Sequence, residues 1–106
     1  VHGGLHGIEL NNLLILAGEK FHRQKICNTP TGIVDILPTI LWGMGLDIPP
    51  SVMGRPLMEA FEEHGDAPAW SDRLLSASNG RYAQNMLLSY VDGVGFPYLR
   101  GGHRTG

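Results

Sequence analysis

The sequence predicts an α/β fold ending in a β-hairpin, and three observations carry that expectation. An uninterrupted apolar run, Leu13–Ala17, is bounded by Asn and Gly, which suits a strand buried on both faces of a covered sheet. Between Val34 and Met44, the residues Ile36, Leu37, Ile40, Leu41 and Met44 recur at spacings of one, three and four, the stripe of an amphipathic helix. Asp92-Gly93 between two apolar runs is the turn signal of a hairpin.

Composition limits what such a fold can do. The chain has 106 residues, 42% hydrophobic and 17% charged, enough for one modest core and too apolar for a disordered segment. A formal charge of −2 removes the electrostatic argument for nucleic acid or an anionic membrane surface as partner. No apolar stretch approaches the roughly 20 residues of a membrane-spanning helix. A single cysteine, Cys27, forms neither an internal disulfide nor a cysteine-based zinc site.

The elements are expected in the following order. Val1–Gly7 reads as the middle of a loop and starts on Val, which predicts a fragment of a longer protein and leaves localisation unreadable. The strand at Asn11–Gly18 follows, then a polar surface loop over Glu19–Asn28 with a short edge strand near Lys25–Cys27, and a turn at Thr29–Gly32. The helix starts near Val34, where Asp35 favours the dipole and the cap and Pro38 falls in the first turn, whose N–H groups have no intrahelical partner. Gly43 and Gly45 stop it, and Leu46–Pro50 leaves extended because residues before proline avoid the helical region. A second short helix is expected from Pro56 or Leu57 to Glu63, with Leu57, Ala60 and Phe61 inward and Glu59, Glu62 and Glu63 outward. His64–Pro68 breaks the chain into residues 1–66, the α/β segment, and 67–106, an extension carrying the hairpin of Met86–Val91 and Phe96–Leu99. Pro97 makes the second of those strands an edge.

Chemistry-bearing residues are few. His2 and His6 stand in a glycine-rich run with Glu9 beyond, and neutral imidazoles are common zinc ligands, although two are too few for a complete site. His22, His64 and His103 lie alone in polar surroundings and read as surface residues. No Gly-x-Ser-x-Gly and no phosphate-cradling glycine loop is present. Asp35 and Thr39 are explained by a helix start and a helix-facing hydroxyl, and Arg55 either binds an anion or ties a loop to a carboxylate or carbonyl. Tyr90 and Tyr98 are expected to face each other across the hairpin.

The order of these features is more specific than any one of them. Gly4-Leu5-His6-Gly7, the Asn11–Gly18 run ending in Ala-Gly, Val34-Asp35-Ile36-Leu37-Pro38-Thr39-Ile40-Leu41, then Gly45-Leu46 and Gly54-Arg55-Pro56-Leu57 resemble the C-terminal part of the alkaline phosphatase superfamily, type I phosphodiesterase/nucleotide pyrophosphatase branch. The resemblance covers Gly4 to Phe61, with Gly18-Glu19 standing where relatives often have Gly-Pro.

It implies a three-layer α/β fold and a metal-dependent phosphoric ester hydrolase. There two divalent metals, usually zinc, are held by Asp and His while a Thr or Ser alkoxide attacks phosphorus. His6 matches the metal-ligating His of the family's loop. Asp35, Pro38 and Thr39 match a helix signature of structural role. The nucleophile and remaining ligands are then expected N-terminal to Val1, which makes the chain inactive alone, with a phosphate ester and the missing N-terminal part as its partners. The other expectation is a non-catalytic interaction module, whose incomplete sheet exposes apolar surface and drives homo-oligomerisation.

Overall fold

The computed structural model describes residues 4–63 and 66–105. Hydrogen bonding defines α1 (Gly7–Leu10), a 3-10 turn (Ile33–Asp35), α2 (Ile36–Gly43), a second 3-10 turn (Met58–Ala60) and three strands, β1 (Trp70–Ser78), β2 (Ala83–Val91) and β3 (Tyr98–Arg104). The chain divides into two compact units, residues 15–69 in one and residues 1–14 with 70–106 in the other.

The sheet unit is an antiparallel meander in the order β1-β2-β3. Each strand follows its neighbour through a short turn. Asn79-Gly80 opens the first of these, with Gly80 at φ +90°, and Asp92-Gly93 opens the second, with Gly93 at φ +80°. Both are left-handed positions that glycine occupies without a Cβ clash. β1 and β2 pair without interruption from Trp70 opposite Val91 to Ser78 opposite Ala83. Between β2 and β3 the register shifts at Leu87/Leu88, which leaves Arg100 as the extra residue of a bulge between Leu99 and Gly101. Leu88, Ser89, Val91 and Tyr98 are buried, and Gly102 N–H donates to Leu5 C=O at 2.7 Å, so the N-terminal segment lies along the outer edge of β3.

The other unit is built around α2 and has a small aromatic core. Phe61 stacks against Phe21 with ring centroids 4.8 Å apart and against Trp42 at 4.7 Å, and Leu57 is buried beside it in sequence. Phe21 and Phe61 also form an isolated backbone bridge, closed on either side by His22 N–H to Ala60 C=O and Glu62 N–H to Lys20 C=O. A Cβ on Gly43 would sit 3.0 Å from the Phe61 ring, so glycine there permits the helix end to approach the aromatic cluster.

The hairpin and the main helix occur as expected, and Pro38 falls in the first turn of α2 where its missing N–H is harmless. The three-layer α/β fold does not occur: the sheet has three antiparallel strands, all from residues 70–104, and is mostly a β structure with short helices. Residues 11–18 form no strand, and Leu13 and Ile15 are 85% and 74% exposed. A both-face-buried strand needs paired neighbours and covering layers, and neither is supplied to this run. The Lys25–Cys27 edge strand is likewise absent, with Ile26 and Cys27 exposed.

The helix expected to Glu63 shrinks to the 3-10 turn Met58–Ala60, because Phe61 turns extended to pair with Phe21. Tyr90 and Tyr98 do not face each other: Tyr98 pairs with Ser89 and Tyr90 with Ser71.

The aromatic cluster is the apolar anchor of its unit. Phe61→Ala is expected to lower the stability of that unit by about 3–5 kcal/mol, the usual cost of emptying an aromatic core site, read from urea unfolding followed by circular dichroism.

Candidate functional site

Two motif segments, Val34–Leu41 and Gly54–Leu57, are far apart in sequence and meet in the structure. Their meeting is organised by Asp35, which is fully buried. Its Oδ1 accepts the backbone N–H of Arg55 at 2.8 Å, and its Oδ2 accepts that of Gly32, also at 2.8 Å, spanning the 3-10 turn that leads into α2. Thr39, one helical turn on, donates its hydroxyl to Asp35 C=O at 2.6 Å and accepts Leu57 N–H at 2.9 Å. The hydroxyl therefore serves both its own helix and the opposing loop.

Arg55 completes the clasp. Its guanidinium reaches both carboxylate oxygens of Glu59, NH2 to Oε1 at 2.9 Å and NH1 to Oε2 at 3.1 Å, and NH2 also donates to Pro30 C=O at 2.9 Å. The pair is nearly dry, with side chains 10% and 3% exposed. Removing one partner of such a pair leaves a charge buried and unpaired. Glu59 thus faces inward, against the expectation of an outward side chain, because the 3-10 turn brings it back over Arg55.

Gly54 is fixed by sterics, since a Cβ there would meet Val34 C=O at 1.8 Å. The spacing Asp-x-x-x-Thr and the run Gly-Arg-Pro-Leu are explained residue by residue as a structural lock. Of the two expectations for Arg55, tying a loop to a carboxylate and a carbonyl is the one observed.

The candidate metal ligand lies in the sheet unit. His6 is the N-cap of α1, and its carbonyl accepts Glu9 N–H at 2.9 Å and Leu10 N–H at 3.1 Å, while the residue remains exposed. Glu9 folds back toward Gly4, where an added Cβ would lie 1.8 Å from its Oε2. His2 and His64 lie outside the described residues. His22 is half-buried, and His103 is exposed at the end of β3 opposite Asn85. Among the described residues no three His, Cys, Asp or Glu side chains converge on a point that could hold a metal ion. His6 is thus available as a single donor, and these residues do not by themselves fit a complete zinc centre.

A polar cluster with no local signature in the sequence crosses the sheet. Ser89, fully buried in β2, donates its hydroxyl to Asp72 of β1 and accepts from Arg100 NH1 at 3.0 Å. The Arg100 guanidinium also lies 3.5 Å from Asp72 Oδ1 and 5.7 Å from the Trp70 ring centroid. Its members come from three strands, so no local spacing announces them, and the bulge at Arg100 is what aims that side chain. Asp72 and Arg100 are substantially exposed, and a pair so placed adds little to stability.

Two substitutions separate the lock from the candidate ligand. Asp35→Ala strands the N–H groups of Gly32 and Arg55 and is expected to cost about 3 kcal/mol in urea unfolding. His6→Ala, at an exposed position, is expected to change stability by less than about 0.5 kcal/mol.

No helix among the described residues is long and apolar enough to cross a membrane. Compared with protein-family models, with curated proteins and with solved structures, the chain shows no match.

Proposed function

We propose that the chain is the C-terminal part of a metal-dependent phosphoric ester hydrolase of the phosphodiesterase/nucleotide pyrophosphatase type, to which it contributes one metal-binding nitrogen from His6. The observation that supports this reading is the clasp. The two motifs that carry the resemblance, Asp35-x-x-Pro38-Thr39 and Gly54-Arg55-Pro56-Leu57, are bonded to one another through Asp35 and Thr39. The bonds tie the two motifs into one structural unit. The three-layer sheet is no part of the proposal.

For His6 the reading is supported by the exposure of the residue and by its position as the N-cap of α1. The reading assigns the nucleophile and the other metal ligands to sequence outside these 106 residues. The chain's own share is then structural: the clasp fixes the entry to α2, and α1 holds His6 at a defined position. In this reading the chain alone does not hydrolyse a phosphate ester.

A second reading has its own observation. Ile33, Val34, Leu37, Ile40, Met44 and Leu46, in and around α2, are each more than half exposed, which is an unusual concentration of uncovered aliphatic surface. That surface fits an interaction module that associates through this helix.

Hydrolysis of bis(p-nitrophenyl) phosphate separates the two. A longer protein containing these residues is expected to turn it over only with zinc, and the isolated chain not at all. His6→Ala in the longer protein should lower the rate by more than about 100-fold, beyond the range of outer-shell changes. Full activity in that variant, or no zinc-dependent hydrolysis, would sink the hydrolase reading. Light scattering tests the module: self-association that rises with concentration and is abolished by Leu37→Asp with Ile40→Asp is the expected result, and a monomer at high concentration counts against it.

A further inference from the structure

The turn between β1 and β2 carries reactive chemistry of its own. Asn79 is the only one of the five asparagines followed by glycine; Asn11, Asn12, Asn28 and Asn85 precede Asn, Leu, Thr and Met. Asn79 and Gly80 are exposed, and Gly80 sits at φ +90°. Without a Cβ, the Gly80 nitrogen meets little steric resistance in approaching the side chain before it.

Hydrogen-bond donors surround the side-chain carbonyl of Asn79. Oδ1 accepts two backbone N–H groups, from Tyr82 at 2.8 Å and from Arg81 at 3.1 Å. Two donors aimed at a carbonyl oxygen stabilise the negative charge that develops there when a nucleophile adds to its carbon. The nucleophile is polarised as well, because Gly80 N–H donates to Ser78 Oγ at 3.2 Å. The backbone of the turn is held by Asn79 N–H to Tyr82 C=O at 3.0 Å, so these groups stay together.

We propose that Asn79-Gly80 is a built-in deamidation site, in which the turn itself promotes conversion of Asn79 to aspartyl and isoaspartyl forms. The Gly80 nitrogen adds to Asn79 Cγ, forming an N–C bond, and gives up its proton to solvent by way of the Ser78 hydroxyl. Oδ1 takes the electron pair of the C=O bond while held by the N–H groups of Arg81 and Tyr82. The carbonyl re-forms, the Cγ–Nδ2 bond breaks, and Nδ2 takes up a proton and leaves as ammonia. Water then opens the cyclic imide at either carbonyl. No oxidant or reductant takes part.

The product carries one more negative charge on a chain of formal charge −2. In the isoaspartyl form the backbone gains a methylene inside the turn. That displaces the Asn79 N–H to Tyr82 C=O bond and loosens the register of β1 against β2, so the site acts as a slow covalent timer on the hairpin.

The test is peptide mapping by mass spectrometry of the 106-residue chain after incubation in mildly alkaline buffer at physiological temperature. A mass gain of about 1 Da is expected at position 79 before any other asparagine, with methyl-accepting isoaspartate appearing in parallel. Ser78→Ala is expected to slow conversion several-fold while leaving the circular dichroism spectrum unchanged, and Asn79→Gln to abolish it. Unfolding the chain in urea should slow it as well, since the donors to Oδ1 are then lost. Conversion at Asn11, Asn12, Asn28 or Asn85 ahead of Asn79 would overturn the proposal. So would equal rates in the folded chain, the unfolded chain and Ser78→Ala.

Discussion

The Asp35 carboxylate is the point on which the helical unit depends. It is fully buried, and it holds two backbone N–H groups, from Gly32 and Arg55. A carboxylate taken out of water is costly unless its oxygens are occupied. Here that occupation joins three stretches of chain. The bond to Gly32 sets the turn into α2, and the bond to Arg55 brings in the following loop. Once Arg55 is placed, its guanidinium reaches Glu59 and Pro30, and the loop cannot leave without exposing several unmade bonds at once.

The remainder of that unit follows from the same geometry. Thr39 repeats on Leu57 what Asp35 does on Arg55, and Leu57 and Phe61 are thereby delivered to the small aromatic cluster with Phe21 and Trp42. Polar bonds position the chain and the rings bury what is left. Among the described residues no buried side-chain nitrogen or oxygen lacks a partner, so the polar interior is fully satisfied although the apolar one is small. In the sheet unit the order is reversed. Backbone pairing sets the register, and side chains such as Ser89, Asp72 and Arg100 meet because the register and a single bulge bring them together.

Features whose controlling physics is local are legible in the sequence. The helix α2, the placement of Pro38 in its first turn, and Asp92-Gly93 between two apolar runs each depend on a few neighbouring residues. The face that α2 buries does not: Pro38 and Thr39 are its buried residues, and the apolar stripe Ile36, Leu37, Ile40 and Met44 is exposed. Features that depend on partners remote in sequence are not legible in it. Leu13–Ala17 has the composition of a buried strand but no neighbours to pair with. Trp70–Ser78 alternates too weakly to declare itself, although Asn79-Gly80 after it is a turn signal as strong as the one used for the second hairpin. Glu59 was expected outward because a carboxylate on a short helix normally is; only the folded position of Arg55 makes it an interior residue.

What the sequence determined by itself is therefore the local chemistry: the entry to α2, the turn glycines, a single cysteine, and a histidine, His6, in a glycine-rich run. The tertiary structure decided which of those residues act together. It joined Asp35 and Thr39 to Arg55 and Leu57, left His6 without converging ligands among the described residues, and replaced the layered α/β sheet with a three-stranded meander. The reason is physical: turn and cap preferences are set within four or five residues, whereas burial and pairing are set by whichever segments arrive on the other side.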